Sequence, residues 1–205
     1  AVVMLLQPDT DTFLIMAISA TAMFITAGGS WRDVALMFLA GVLLIAVLAF
    51  SRPYIKDRIE TFFNPDLDPQ GKSYQIKQSL IAVGTGGISG RGFGQSIQKF
   101  EYLPEPIGDS IFAIYSEEFG FIGSSLLVLP LSFFTFRGYK IASHATDLFG
   151  MLLVVGFMTL IVTQAFLNIA AMLALAPLMG LPLPFISHGG TALFATLASV
   201  GIVLN

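Results

Sequence analysis

Long apolar runs separated by short polar joints dominate the chain. Phe13 to Ala27, Val34 to Phe50, Phe119 to Phe136, Leu148 to about Leu175 and Thr191 to Leu204 carry almost no charge. A run of about 20 apolar residues crosses a bilayer, and a shorter one does so when interfacial residues complete its length. Spanning helices are therefore expected near 11–28, 33–50, 112–137, 147–175 and 189–204, with Ala1 to Leu6 as the remnant of another. The fourth run exceeds one hydrocarbon thickness and should tilt or project past the membrane surface. Its Gln164 and Asn168 are four residues apart and share a face, a placement usual for polar glue between helices. The expected fold class is an all-α integral membrane protein: a polytopic helix bundle with a large extracytoplasmic loop containing short interfacial helices.

Lys and Arg in the short joints set the orientation. Arg32 lies near the first joint and Arg137 and Lys140 follow Phe136, whereas "QPDTD" and "PLMGLPLPFISHGG" hold no basic residue. The basic joints should be cytoplasmic, which places residues 51–111 outside. Seven Lys and Arg in that segment are no contradiction, because long loops translocate largely regardless of charge. Within it, "RPYIKDRIETFF" sets Ile55, Ile59 and Phe62 on one stripe, the pattern of a short helix lying in the interface or packed on the protein's own surface. "NPDLDPQG" is a turn cluster. A second short helix then runs into a loop carrying Gly84, Gly86, Gly87, Gly90, Gly92 and Gly94.

Composition narrows the classes. The 205 residues are 55% hydrophobic and 11% charged, against roughly a quarter charged in a soluble domain. A net charge of -3 lacks the basic footprint of a nucleic-acid binder. Without cysteine, disulfides and thiolate metal ligation are excluded. "AVVMLLQPD" has neither a basic n-region nor a small-residue cleavage site, so it reads as the end of a spanning helix in a longer chain rather than as a signal peptide.

The chemistry-bearing stretch is "YLPEPIGDSIFAIYSEEFGFIG", residues 102–123, with Glu105, Asp109, Glu117 and Glu118. A helix from Asp109 to Phe136 would be about 40 Å long against a hydrocarbon core of about 30 Å, so its first turns should protrude and the acids should rim the outer surface. Spacing alone favours Asp109 as an N-cap, a position that would keep its carboxylate ionised. It is also placed to act as a general base at the boundary between water and lipid. Glu117 and Glu118 read as an interfacial helix start, paired with Arg91 or Lys99. The glycine loop offers backbone N–H groups to a phosphate, with Arg91 and Lys99 as charge, but lacks the Lys-Ser/Thr ending of a nucleotide-binding loop. His188 has no second histidine nearby for a zinc site.

Taken in order, "QPDTDT", "YQIKQSLIAVGTGGISGRGFGQSIQKFEYLPE", "GDSIFAIYSEEFGFIG", "QAFLNIA" and "GLPLPFISHGG" resemble the SEDS family of cell-wall polymerases (FtsW, RodA, SpoVE), and the FtsW and SpoVE branch more than RodA. The resemblance covers nearly the whole chain and implies the C-terminal half of a ten-helix peptidoglycan glycosyltransferase of the bacterial cytoplasmic membrane. Such an enzyme polymerises lipid II at the outer face, in cell division, beside a class B penicillin-binding protein, other divisome proteins and membrane lipids, with no nucleic acid. The position matching the family's essential aspartate is Asp109, the implied base on the acceptor 4-hydroxyl. Arg91, Lys99, Gln95, Glu105, Gln78, Ser187 and His188 are the candidate substrate contacts. Arg91, Lys99 or a divalent cation (Mg2+ or Mn2+) would offset the leaving group's charge, and no residue is assigned to a metal. Against the family pattern, Asp11 stands for Gly, Ile107 and Gly108 for a His-Thr pair, Ser110 for Phe, and His188 for Tyr. Asp11 adds a carboxylate on the same outer side as Asp109, able to pair with a loop cation. The alternative reading, a flippase for a lipid-linked precursor or another membrane transporter, draws on polar residues within a spanning run and on Gly and Pro interruptions.

Overall fold

Helix starts follow from side chains that satisfy the first free amides. Asp9 accepts from the Thr12 amide at 3.1 Å, Ser30 from Asp33 at 3.3 Å and Asp147 from Gly150 at 2.9 Å, the usual N-cap geometry. The computed structural model describes residues 9–64 and 73–204, apart from the side chains of Ser51 and Glu101. The expected remnant Ala1 to Leu6 and most of the turn cluster, residues 65–71, lie outside the described residues. Described secondary structure is entirely helical: α1 (Thr10–Thr26), α2 (Trp31–Ser51), α3 (Pro53–Phe63), α4 (Tyr74–Gly86), α5 (Gln98–Glu101), α6 (Ile111–Ser143), α7 (Leu148–Met172) and α8 (Gly190–Leu204). Of these, α2, α6 and α7 are each long and apolar enough to cross a membrane, and α1 and α8 are shorter apolar helices.

The long helices pack through small residues. α1 lies along α7, where Ser19 Oγ donates to the Gly156 carbonyl at 2.8 Å and a Cβ on Gly156 would meet Met23 Sδ at 2.9 Å. Such close approach replaces the hydrophobic drive that lipid removes. α6, α7 and α8 meet around Ala142, Val154, Val155, Met158 and Val203. At the other end, Ala82, Phe112, Ala113, Ala165, Ile169, Met172 and Leu183 join α4, α6, α7 and the loop before α8. α2 stands apart, touching chiefly α3 and a little of α1. Phe38 and Phe50 on it are 74% and 94% exposed, a surface that suits lipid or further protein.

α6 departs from expectation at both ends and in the middle. Ser110, not Asp109, is its N-cap residue, and it runs on to Ser143, so Arg137 and Lys140 lie on helix rather than in a joint. Gly120 interrupts it, with φ 64° and ψ -162°. Freed backbone groups must find partners, and the glycine loop supplies them. Phe121 N donates to Gly87 O at 2.9 Å and Ile122 N to Ile88 O at 3.1 Å, while Arg91 N donates to Glu117 O at 3.0 Å and Gly92 N to Glu118 O at 2.9 Å. A Cβ on Gly90 would lie 2.1 Å from the Glu118 carbonyl oxygen. Gly86 and Gly90 thus serve close backbone contact with α6. Of the loop's backbone N–H groups, which the sequence offered to a phosphate, those of residues 90–92 are taken up within the chain.

Candidate active site

Asp109 sits in the last turn before α6, at the bundle end that also carries Asp11, α3 and the loop 173–189. Two elements, α7 and the loop before α8, hold the backbone of residues 107–109. Asn168 Nδ2 on α7 donates to the Asp109 carbonyl at 2.7 Å, and to that of Leu181 at 2.7 Å. Ser187 Oγ donates to Gly108 O at 2.6 Å and accepts from Leu183 N at 2.7 Å. The His188 amide donates to Ile107 O at 2.9 Å. Gln164 Nε2 fixes the same loop through Pro182 O at 2.8 Å. Gln164 and Asn168 are therefore glue, as their spacing suggested, and the polar residues that favoured a transporter are engaged with backbone carbonyls.

The Asp109 side chain lines a pocket of about 410 Å³ shared with Tyr54, Asp57, Arg58 and Thr61 from α3, Gln75 from α4, and Leu178 to Gly180. Gln75 Nε2 donates to Ser110 Oγ at 3.0 Å, and Ser110 Oγ donates to Pro104 O at 2.8 Å. Burial pushes the Asp109 carboxyl above the usual carboxylate range. Its own main-chain amide and Gln75 pull it down, Glu105 raises it by like charge, and Ser110 lowers it slightly. Desolvation prevails, so the side chain is more basic than an exposed aspartate. This reverses the expectation of a cap that keeps the carboxylate readily ionised.

The remaining predicted contacts divide. Ser187 and His188 position the backbone before Asp109, and the exposed Glu105 turns it through φ 47°, accepting from Gly108 N and Ser110 N. Gln78 lies one turn along α4 from Gln75 and does not line the pocket. Arg91, Gln95 and Lys99 do not line it either. Arg91 Nε is 3.5 Å from Glu117 and Lys99 Nζ 2.7 Å from Glu118, the pairing expected of these residues. Yet the two acids do not rim the surface: Glu117 is 1% and Glu118 6% exposed. Glu117 also accepts from Ser96 Oγ at 2.6 Å and from the amides of Ile97 and Gln98 at 3.2 Å each, tying α5 to α6.

Sequence reading missed Arg58, Tyr54 and Gln75. The Tyr54–Arg58 spacing of one helical turn was the available signal, since the guanidinium carbon lies 4.4 Å from the Tyr54 ring centroid. Arg58 Nη1 also donates to Asp11 Oδ1 at 2.5 Å, while Asp11 Oδ2 accepts from Gly180 N at 3.1 Å. Asp11 does pair with a loop cation.

Residues 1–205 match the family of cell cycle proteins that comprises FtsW, RodA and SpoVE. The chain belongs to this family. It is 43% identical over 203 residues to stage V sporulation protein E of Bacillus subtilis (strain 168), covering 99% of this chain and 56% of that protein. It is 38% identical over 208 aligned positions to a probable peptidoglycan glycosyltransferase FtsW of Hydrogenovibrio crunogenus, covering all of this chain and 54% of the relative. A solved chain from work on how a peptidoglycan synthase complex coordinates polymerization and crosslinking matches with TM-score 0.77 and 27% identity, over 98% of this chain and 56% of that one. The chain thus spans about half the length of the curated relatives it matches. Family and helices together make this FtsW/RodA/SpoVE member a multi-pass membrane protein.

Proposed function

We propose that the protein is a peptidoglycan glycosyltransferase of the FtsW/SpoVE branch, acting in cell division at the outer face of the bacterial cytoplasmic membrane and polymerising lipid II. The observation that carries this reading is the setting of Asp109: a partly desolvated carboxyl of raised basicity, on backbone held by α7 and by the loop before α8, lining a pocket that also carries Asp57, Arg58, Thr61 and Gln75. Relatives named as peptidoglycan glycosyltransferases support it.

The acceptor's 4-hydroxyl enters the pocket and hydrogen-bonds to the ionised Asp109. As its oxygen attacks the donor sugar's anomeric carbon, the proton passes to the carboxylate and the undecaprenyl diphosphate departs. Locked backbone fixes the base near the attack trajectory, which is where positioning yields most of its rate. A Mg2+ or Mn2+ ion would be held by one or two carboxylates and the substrate's own phosphates rather than by a protein cage, and would offset the leaving group's charge; among the described residues no three His, Cys, Asp or Glu side chains gather.

A class B penicillin-binding protein is the proposed partner, with other divisome proteins and membrane lipids around it; the similar solved chain comes from a polymerization and crosslinking complex. The test is polymerisation of lipid II by the intact protein with its transpeptidase, glycan strands being read on gels. Asp109→Ala should abolish synthesis while folding and partner binding persist. Normal synthesis by that variant would assign the base elsewhere.

A further inference from the structure

The geometry points to Arg58 as the residue that binds the diphosphate of the lipid-linked donor, at the seam between the sugar-sized pocket that carries Asp57, Thr61, Gln75 and Asp109 and an apolar groove. This rests on the glycosyl transfer proposed above.

Two cavities meet at this side chain. The first is the pocket of about 410 Å³ containing Asp109. The second, about 370 Å³, lies between α1 and α2, walled by Phe13, Leu14, Leu44, Leu48, Ile55 and Ile59. Arg58, Leu178 and Met179 belong to both. A polyprenyl diphosphate sugar has the same order of parts: sugar, then a doubly charged linker, then a long apolar chain. With the sugar beside Asp109 and the chain against α2, the linker falls at Arg58. Among the described residues it is the only cationic side chain lining either cavity. Arg91 and Lys99, the cations expected to do this, are paired with Glu117 and Glu118 elsewhere.

The guanidinium is held for this task. One nitrogen is fixed by Asp11, which is itself anchored by the Gly180 amide, and one face rests on Tyr54. Its side chain keeps 27% exposure, and a guanidinium carries five donors, so an oxyanion can be met without breaking the Asp11 contact. During transfer the acceptor O–H bond breaks, with its proton going to Asp109, and a bond forms from that oxygen to the anomeric carbon. The carbon–oxygen bond to the diphosphate breaks, its electron pair leaving with the diphosphate oxygen. Charge therefore grows on the group that Arg58 contacts, which makes the contact stronger in the transition state.

Farnesyl diphosphate is the probe, with farnesol and inorganic pyrophosphate as controls. On unmutated intact protein in detergent, farnesyl diphosphate should protect Arg58 from phenylglyoxal modification, read by mass spectrometry, and farnesol should not. Inorganic pyrophosphate should protect only at much higher concentration, because it cannot occupy the groove. Arg58→Gln should weaken farnesyl diphosphate binding about 10- to 100-fold, the range for losing charge-assisted hydrogen bonds. Arg58→Lys should fall between, and Asp109→Asn should bind like the parent. Equal protection by farnesol, or none by the diphosphate, overturns the assignment even if Arg58→Gln fails to fold. Asp109-dependent polymerisation with Arg58 unprotected would sink this inference alone. Arg58-dependent binding without polymerisation would sink the glycosyltransferase reading and leave a diphosphate site.

Discussion

Replacing Asn168 with leucine should slow the reaction without touching the pocket. The side chain is fully buried, and its Nδ2 joins the Asp109 and Leu181 carbonyls, each at 2.7 Å. Each neutral hydrogen bond contributes about 1 kcal/mol net, and a buried acceptor left unpaired costs about 1–3 kcal/mol. The bond to Asp109 is part-buried and its carbonyl can turn toward water, whereas the one to Leu181 is buried. The total is therefore about 2–4 kcal/mol. Much of it should appear as opening of the loop 173–189, which the side chain pins, so hydrogen exchange at the Leu183 and His188 amides should quicken more than global unfolding temperature falls. Displacing the base by about 1 Å costs on the order of 10²-fold. Lipid II titrations should give kcat reduced about 10- to 100-fold, with KM within about twofold because no substrate contact is lost. A variant with unchanged kcat, or one changed in KM alone, would refute the role of Asn168 in positioning the base.

The acid limb of the pH profile should lie above the usual aspartate range, since burial raises the Asp109 pKa and activity needs the ionised form; a limb at an ordinary aspartate value would contradict this. The sign for stability is opposite to that of a salt-bridged carboxylate: the folded state holds this proton more tightly than the unfolded chain, so stability falls as pH rises from the ordinary range through the raised pKa. Asp109→Asn should consequently keep or raise the melting temperature at neutral pH while ending synthesis. Glu117→Ala strips the partner from Ser96, Ile97, Gln98 and Arg91, and should cost about 3–5 kcal/mol, seen as a lowered melting temperature and faster proteolysis near residues 91–101. Gly120→Ala places a Cβ 2.3 Å from Gly90 N at φ 64° and should destabilise by about 2 kcal/mol or more. Gly84→Ala, in helix with open space around it, should be tolerated, and equal melting temperatures for the two would show that the α6 break is not fixed by contact.

Much of the candidate site was visible in local pattern. Asp109 is one of four acids near the start of an apolar run, where spacing favours a cap and the family resemblance supplies the role of base; Gln164 and Asn168 stand out because their spacing puts them on one face. Arg58 did not, since a basic residue on a short amphipathic helix looks the same whether it meets solvent or a cavity. Glu117 and Glu118 misled for a related reason: height along a helix can be counted, but whether another segment covers that height cannot.

The amino-acid sequence by itself determined the helical bundle and its apolar segments, because helix rise, bilayer thickness and backbone hydrogen bonding act over neighbouring residues. Tertiary structure alone decided which charges are paired and which face the pocket. Glu117 finds Ser96 21 residues away, Arg58 finds Asp11 47 away and Asn168 holds the Asp109 carbonyl from 59 away. Desolvation and ion pairing depend on what packs around a group, and separations of that length leave no periodic mark on the chain.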